Sequence, residues 1–253
     1  MKRSIEPAYT EADLALIDAA YEKLRPSDTI ADWFTQYFRN HRKRLATDLR
    51  MLRDTASEGD TVVEFGSAPC LLTHAAQAAG FRVIGIDLEP DRITEAAGSF
   101  EILKCDIEKD TVPLDDGVAD VVLFNEVFEH LRIDPIFTMG EVARVLKPGG
   151  QLFLSTPNLQ SLAGIRNLVW SNRSAFVCPD PYYEYTKLRT LGHMGHVREY
   201  TTRDVTEFLE HFDITTKEII YRGMRGKRRL TRLTQRLVPR LRPFFSAAAT
   251  KSG

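Results

Sequence analysis

The feature of this chain that most constrains its fold is a regular alternation of short apolar segments with helix-forming segments between residues 61 and 155. The apolar segments are rich in Val, Ile, Leu and Phe, which is typical of strands buried on both faces. They lie at residues 61–66, 82–87, 100–105, 119–124 and 151–155. Helical periodicity predicts helices at residues 71–79, 90–97 and 135–146, with Gly80 closing the first. The alternation predicts βαβ units, and therefore an α/β fold with a doubly wound, mostly parallel sheet.

Residues 10–54, before the first strand, have the periodicity of amphipathic helices. Thr10 and Asp28 are residue types that cap helix N-termini. We therefore expect an N-terminal helical cap at 1–54, ahead of a main domain at 55–221. Within that domain, residues 157–200 break the alternation and form an insertion of loops and one helix. A helix near 202–212 and a strand at 215–221 complete the domain.

The charge is distributed unevenly along the chain, although the net charge is only −1. Residues 1–218 contain 24 Lys and Arg against 35 Asp and Glu, whereas residues 219–253 contain ten basic residues and no acidic one. Within 228–245 a stripe of leucines lies among arginines, and Pro239 would kink or split a helix there. We interpret 222–253 as a basic amphipathic tail. Such a tail suits an anionic membrane surface or a contact with the acidic domain; nucleic acid is disfavoured because aromatic platforms flanked by base-reading residues are absent.

Glycine or a polar residue stands where four of the predicted strands end, at Gly66, Asp87, Asp106 and Asn125. Ligands of parallel α/β sheets bind beyond the carboxyl ends of the strands. A glycine there lets the backbone approach a ligand closely, and a carboxylate about 20 residues later can accept hydrogen bonds from both hydroxyls of a ribose. This pair also fits NAD, but the turn after Gly66 is not G-x-G-x-x-G, and Glu64 precedes it. These differences indicate a nucleoside site of another class.

Five stretches in order resemble the motifs of the class I S-adenosylmethionine-dependent methyltransferases, over roughly residues 45–221. They are residues 62–68, 84–88, 105–107, 120–131 and 145–150. The resemblance implies a Rossmann-like sheet with an inserted substrate lid at 157–200, and S-adenosylmethionine as the cofactor. It assigns Asp87 to the ribose hydroxyls and Leu88 to the neighbourhood of the adenine. The other cofactor-binding residues that it implies line the methionine end, flank the adenine or belong to the fourth motif: Glu64, Gly66, Ser67, Ala68, Cys105, Asp106, Ile107 and Asn125.

The first turn departs from the family pattern Gly-x-Gly-x-Gly, because residues 66–70 read Gly-Ser-Ala-Pro-Cys. Alanine can replace glycine where φ is negative, so we expect Ala68 to preserve the close approach to the cofactor. Proline is tolerated at a helix start, where its missing N–H is not needed, so we expect Pro69 in that position. The departure leaves a non-catalytic, methyltransferase-like binding protein as an alternative to an enzyme.

A hydroxyl acceptor needs a base, and histidine is the usual base near neutral pH. His130 directly follows the fourth strand, and His193 lies in a stretch, 192–201, that resembles the segment folded over the active site in this methyltransferase group. These two are the candidate catalytic residues, each weighed against a structural role. A structural role at the entry to the next helix is the alternative for both His193 and His196, and it carries more weight for His196. The remaining histidines lie within predicted helices and are assigned to packing or solvent: His41, His74 and His211.

Residues 125–130 also resemble a stretch of ubiquinone-pathway O-methyltransferases in which two glutamates and a histidine are implicated in holding a divalent ion. On that resemblance Glu126, Glu129 and His130 are candidate metal ligands. Glu-His pairs at this place are common in methyltransferases without metal, so a metal-free site is the favoured interpretation.

We therefore expect methyl transfer from S-adenosylmethionine to a hydroxyl of a small-molecule, saccharide or lipid-linked acceptor, with the aromatic insertion supplying the acceptor pocket. N-methylation is the alternative within the enzyme class. The sparse, odd set of cysteines, Cys70, Cys105 and Cys178, favours free thiols in a reducing compartment. No apolar region follows the basic start of the sequence, and no apolar run is long enough to span a bilayer. We expect the cytoplasm, with membrane-surface contact through the tail.

Overall fold

A computed structural model describes residues 1–95, 100–174, 177, 180–191, 195–224 and 229–253 of the chain. These form two compact units. The N-terminal unit consists of Glu6–Leu123 and Arg144–Gln151, and the C-terminal unit of Met1–Ile5, Phe124–Ala143 and Leu152–Gly253. Both contain large side chains that are fully buried, such as Phe65 in the first and Phe128 in the second.

Strands and helices alternate along the chain. The strands are β1 Lys2–Ile5, β2 Arg25–Pro26, β3 Thr61–Phe65, β4 Arg82–Asp87, β5 Ile93–Glu95, β6 Glu101–Lys104, β7 Ala119–Asn125, β8 Leu146–Pro157, β9 Ile214–Arg222 and β10 Phe244–Lys251. The helices are α1 Glu11–Lys23, α2 Ala31–Thr55, α3 Leu71–Ala78, α4 Pro135–Val145, α5 Leu162–Trp170, α6 Pro181–Leu191, α7 Thr202–Glu210 and α8 Arg229–Leu237.

The strands form an eight-stranded sheet with the order β1-β9-β10-β8-β7-β3-β4-β6, and β2 pairs separately with β5. The pairs β3/β4, β3/β7, β4/β6 and β1/β9 are parallel, and β9/β10 is antiparallel. The predicted α/β class with a mostly parallel sheet is therefore confirmed. The chain moves outward from β3 through β4 to β6 and then returns to β7 on the other side of β3, so the topological switch point lies at β3.

The start of α1 confirms one predicted helix cap, and the start of α2 corrects the other. The Thr10 hydroxyl accepts a hydrogen bond from the Asp13 backbone N–H (3.2 Å), and the Asp13 carboxylate accepts one from the Thr10 N–H (2.8 Å). This reciprocal pair is a capping box. The expectation that Asp28 caps α2 is wrong, because Asp28 begins a short 3-10 turn and the N-cap of α2 is Ile30.

The helix expected at residues 90–97 is not formed in the described part of that segment. Pro90–Arg92 make a single 3-10 turn, and β5 then pairs antiparallel with β2. The carbonyl of Arg92 accepts a hydrogen bond from the N–H of Ser27 (2.8 Å). This tertiary contact, with the β-branched Ile93, favours an extended backbone over the local helical pattern. Residues 96–99 lie outside the described residues.

Both ends of the sequence contribute strands, which corrects two predicted boundaries. Lys2–Ile5, expected within the helical cap, form β1, and Lys2 Nζ lies 3.2 Å from the Glu218 carboxylate on β9. Phe244–Lys251, expected in a tail outside the main domain, form β10, whose Phe244 pairs with Arg222. The run of small residues in β10 has no strand periodicity, so its conformation is decided by pairing with β9 rather than by local propensity.

The insertion at 157–200 contains two helices, α5 and α6, rather than the one expected. Its ends meet, because Asn158 and Tyr200 form a parallel bridge and the Leu159 N–H donates to the Tyr200 carbonyl (2.9 Å). Residues 175–176, 178–179 and 192–194, which include Cys178, lie outside the described residues.

The helix and strand predicted after the insertion are confirmed as α7 and β9. Thr201 caps α7 through a second capping box, with Asp204. Across the described residues, no helix combines the length and hydropathy that a bilayer crossing requires. The predicted location of the protein stays a prediction.

Candidate functional site

Three strand ends of the N-terminal unit lie together through main-chain hydrogen bonds. The N–H groups of Gly66 and Ser67, after β3, both donate to the carbonyl of Ile86 on β4 (2.8 and 3.1 Å). The N–H of Cys105, after β6, donates to the carbonyl of Asp87 (2.9 Å). The structure therefore brings together the strand ends at which the sequence predicted a nucleoside site.

Asp87 has its carboxylate fixed by the backbone on two sides. Oδ2 accepts a hydrogen bond from the N–H of Ala68 (2.9 Å), and Oδ1 accepts one from the N–H of Glu89 (3.0 Å). Each carboxylate oxygen has a second lone pair. A half-buried carboxylate held in this way can accept further hydrogen bonds from a pair of vicinal hydroxyls.

Two residues in the turn after β3 have the positive φ that glycine adopts most readily. Gly66 is exposed and has φ of 68°, and Cys70, at the third glycine position of the family pattern, has φ of 61°. Ala68 is not among the residues with positive φ, as its substitution for glycine requires. The expectation that Pro69 begins the helix is wrong, because Pro69 follows a cis peptide bond and α3 begins at Leu71, after Cys70 as N-cap.

Half-buried side chains have both fixed positions and accessible surface, and the predicted cofactor residues of this kind in the N-terminal unit are Ala68, Asp87, Leu88, Asp106 and Ile107. The Asp106 carboxylate accepts hydrogen bonds from the N–H of Glu108 (3.2 Å) and from Lys109 Nζ (2.6 Å). Leu88 and Ile107 offer apolar surface next to these carboxylates along the chain. Together the carboxylate acceptors and the apolar residues fit an adenosine group.

Three other predicted residues, Glu64, Ser67 and Cys105, are buried in the N-terminal unit. Glu64 is 7% exposed, and its Oε2 accepts a hydrogen bond from the Thr73 hydroxyl on α3 (2.6 Å). Burial raises the pKa of Glu64 to about 8, although the Thr73 bond opposes this. Glu64 therefore joins β3 to α3, and its contact with the methionine end of a cofactor stays a prediction. The described cysteines, Cys70 and Cys105, are free thiols, and burial raises the pKa of Cys70.

Asn125 and the candidate catalytic groups belong to the C-terminal unit. Asn125 ends β7 and is half-buried. Glu126, directly after it, has φ of 56°, a left-handed conformation that is uncommon for a side chain of its size. Its N–H donates to the carbonyl of Ser155, and the Ser155 hydroxyl donates to its Oε1 (both 2.8 Å). These bonds hold the loop after β7 to β8.

The next turn, Phe128–His130, carries the candidate base. His130 Nδ1 lies 3.1 Å from the carbonyl oxygen of Gly195. A carbonyl only accepts hydrogen bonds, so Nδ1 carries the proton and Nε2 of the neutral ring carries the lone pair. The contact joins segments 65 residues apart in sequence and orients the imidazole. His130 thus has the tautomer that a general base requires at Nε2.

A second imidazole lies beside His130, that of His196, for which the sequence gives helix entry more weight than for His193. The rings of His130 and His196 are 4.7 Å apart between centroids and nearly perpendicular, at 84°. Burial lowers the pKa of His196 to about 4; Glu184 opposes the shift and Lys187 adds to it. The other candidate, His193, lies outside the described residues. The sequence gives no local signal that His196 lies beside Glu129 and His130, because this contact depends on how the insertion folds.

The predicted metal ligands are only partly brought together. In the described residues, ligand atoms of Glu129, His130 and His196 lie within 4.8 Å of one another, and Glu126 is not part of the group. Glu129 is 1% exposed, and its Oε2 accepts a hydrogen bond from the Thr156 hydroxyl (3.0 Å). The set that resembled the ubiquinone-pathway enzymes is therefore replaced by one with a second histidine, and a bound ion stays an untested alternative.

The C-terminal unit also contains a cleft of about 290 Å³ that begins on the His130 turn. Its lining combines aromatic rings with charged groups: Phe128, Pro135, Arg198, Tyr200, Asp204, Glu207, Phe208 and His211. Arg198 lies over the Tyr200 ring, 4.9 Å from its centroid. Of the remaining histidines, His41 lies in α2 and His74 in α3 as expected, whereas His211 follows α7 and lines this cleft.

Comparison with known proteins adds independent information. Residues 37–217 match the model of a family described as a methyltransferase domain. A ubiquinone biosynthesis O-methyltransferase of Xanthomonas campestris pv. campestris is 29% identical over 163 residues, which cover 61% of this chain and 68% of that protein. An uncharacterised 37.1 kDa protein from a Streptomyces fradiae transposon is 33% identical over 117 residues, 42% of this chain and only 33% of that protein.

Among solved structures, a SAM-dependent methyltransferase from Archaeoglobus fulgidus aligns with a TM-score of 0.55 at 16% identity. The alignment covers 87% of this chain and all of that one. At this identity the likeness concerns the fold, and it agrees with the sheet described above.

Proposed function

Because the chain belongs to the methyltransferase-domain family of class I S-adenosylmethionine-dependent enzymes, we propose that it methylates a hydroxyl group of a small-molecule, saccharide or lipid-linked acceptor. The observation that carries the choice of a hydroxyl is the orientation of His130. Its Nδ1 donates to the Gly195 carbonyl, so Nε2 is the nitrogen able to take the acceptor's proton.

The N-terminal unit supplies the cofactor site in this proposal. When bound, S-adenosylmethionine supplies a methyl group attached to a sulfonium sulfur, and the thioether S-adenosylhomocysteine is the leaving group. Asp87 holds the ribose hydroxyls with the free lone pairs of its carboxylate, while Gly66 allows close backbone approach. Leu88 and Ile107 flank the adenine ring, and Asp106 accepts from its amino group. The main contribution of a protein to such an in-line displacement is to align the reactants and exclude water.

The C-terminal unit supplies the acceptor side. His130 removes the hydroxyl proton, and His196 is a positioning residue that packs against the His130 ring. A neutral neighbour does not repel the imidazolium that forms when His130 accepts the proton, and the lowered pKa of His196 keeps it neutral. The O-methyltransferase name of the Xanthomonas relative supports a hydroxyl acceptor. Since the chain spans only a third to about two thirds of the relatives compared, the acceptor is argued from its own residues.

The test replaces His130 by Ala and by Gln. Loss of a general base lowers turnover by about 100- to 10,000-fold. We expect calorimetric affinity for S-adenosylmethionine and S-adenosylhomocysteine to stay within about twofold, because His130 is not among the residues assigned to the cofactor. We also expect the acid limb of the profile of kcat/KM against pH to disappear in both variants. His41→Gln, in the other unit, is the matched control and should behave as the wild type.

Two results contradict the proposal at different levels. The acceptor panel pairs each alcohol with its amine analogue. If His130→Ala turns over as fast as the wild type on this panel, His130 is not the general base, and N-methylation is favoured. Absence of cofactor binding at millimolar concentration would instead indicate a non-catalytic binding protein.

A further inference from the structure

Helix α8, Arg229–Leu237, turns its apolar side to solvent. Leu230 and Leu237 are each 73% exposed and Leu233 is 48% exposed. At about 100° per residue the three leucines fall within an arc of roughly 60°, so they form one continuous stripe. An amphipathic helix of a folded protein ordinarily buries this stripe. The expected contact between the tail and the protein body, if it is made by α8, therefore does not use the leucine side of the helix.

The opposite side of α8 is the one that packs against the unit. Gln235, on the far side of the helix from the leucine stripe, is 2% exposed. Its carbonyl oxygen accepts a hydrogen bond from Nε of Arg242 (3.4 Å), a residue that is itself only 7% exposed. After the helix, the Asn158 side chain donates to the carbonyls of Arg240 and Arg242 (2.9 and 2.8 Å). These contacts fix the rotation of α8 with its leucines outward.

Positive charge accompanies the exposed leucines. Arg229 and Arg236 are exposed and lie within about 60° of the stripe, and Arg232 is exposed further round the helix. No acidic residue occurs anywhere in 219–253. Arginine stems can lie along an apolar surface while the guanidinium groups reach outward to phosphates.

We propose that α8 is a docking helix for an anionic phospholipid surface, with its leucines at the boundary of headgroups and acyl chains and its arginines on the lipid phosphates. A second copy of the chain fits less well, because a symmetric contact along α8 would place arginines against arginines without an acidic partner in the segment. Nucleic acid offers phosphates but no apolar layer for the leucines. The proposal does not depend on the reaction or its acceptor.

The experiment is co-sedimentation of the full chain with vesicles of phosphatidylcholine and phosphatidylglycerol, compared with pure phosphatidylcholine. We expect binding to the mixed vesicles that weakens with added salt. The variant L230Q/L233Q/L237Q, which keeps good helix formers, should lose about tenfold or more in partitioning, and R229Q/R236Q should lose most of the salt-dependent part. Ile136→Gln is the matched control, since Ile136 on α4 is 65% exposed and should not affect binding.

Sedimentation velocity and thermal unfolding of each variant accompany the binding measurement. Equal partitioning of the triple leucine variant and the wild type would overturn the proposal, as would equal binding to both kinds of vesicle. A wild-type dimer that dissociates in the triple variant would assign the stripe to a second copy instead. If the triple variant does not fold, retention of full vesicle binding by R229Q/R236Q would be sufficient to reject the lipid surface.

Discussion

The two units of the protein hold their candidate functional groups in different ways. In the N-terminal unit, Gly66 and Asp87 are positioned by main-chain hydrogen bonds between neighbouring strand ends. In the C-terminal unit, His130 is oriented by a carbonyl 65 residues away, and Glu129 is held by Thr156. The first arrangement repeats wherever a strand, a turn and a helix have the right spacing, whereas the second exists only when separate segments have folded onto one another.

The largest effect that follows from this comparison concerns Asp87. Replacing Asp87 by Ala removes a carboxylate expected to accept two charge-assisted hydrogen bonds, each contributing about 2 kcal/mol. We expect the affinity for S-adenosylhomocysteine to fall about 1,000-fold, which calorimetry can measure directly. The exposed Asp91 provides the control, and Asp91→Ala should bind as the wild type.

Asp87 also accepts from the N–H of Ala68, so Asp87→Asn separates binding from local folding. Asn keeps the shape and one acceptor oxygen, so it loses one of the two backbone hydrogen bonds where Ala loses both, and we expect its melting temperature and its affinity to lie between those of Asp87→Ala and the wild type. Wild-type affinity in both variants would show that the cofactor is held elsewhere.

The buried Glu64 of the N-terminal unit should make the free energy of unfolding depend on pH. Its pKa is about 8 in the folded protein against 4.5 for an ordinary glutamate, so the folded state holds the proton more tightly than the unfolded chain. The resulting stability is fully present below pH 4.5 and is lost as the pH rises toward 8. We expect Glu64→Gln, which can still accept from Thr73, to equal the wild type at pH 5 and to exceed its free energy of unfolding by roughly 3 kcal/mol at pH 8.

Urea denaturation at the two pH values measures this difference. Glu58→Gln removes the same charge from an exposed position and is the control. Parallel pH dependence of Glu64→Gln and the wild type would mean that the carboxyl is not buried as described.

The smallest effects come from the two capping boxes, one in each unit. Thr10→Ala and Thr201→Ala each remove a side-chain acceptor at a helix start, and we expect each to lower the free energy of unfolding by about 1 kcal/mol. Asp28→Ala should cost less, since Asp28 does not cap α2. Calorimetric unfolding of the three variants shows whether each cap affects a separate unfolding transition or both affect a common one. If Asp28→Ala lowered the free energy of unfolding as much as the other two variants, the assignment of Ile30 as the N-cap of α2 would be contradicted.

The sequence predicts the groups held by local turns better than the groups held by contacts between distant segments. The strands β3, β4, β6 and β7 and the residues at their ends could be predicted, because each depends on a local apolar run and the turn that follows it. The pairing of His130 with His196 could not, because it depends on how the insertion folds back. The strand β10 was missed for a related reason, since small residues without periodicity adopt the conformation that their neighbour imposes.

Helices α7 and α8 show that helical periodicity does not predict which side of a helix is buried. Both are amphipathic, yet α7 buries Val205 and Leu209 whereas α8 buries Gln235 and exposes its leucines. Periodicity predicts that a helix forms and where its apolar side lies, but not which side the rest of the protein covers. That choice depends on contacts such as those of Arg242 and Asn158.

The pairing of Arg222 with Phe244 makes the α8 segment a long hairpin connection. Residues 223–243 connect two adjacent antiparallel strands, a junction that elsewhere needs only a tight turn of two residues. Surface connections of this kind lengthen and shorten at little thermodynamic cost. The helix therefore lies in a hairpin connection, and replacing this connection by a short turn would keep the Arg222–Phe244 pair but remove the carbonyls of Arg240 and Arg242 that Asn158 bonds.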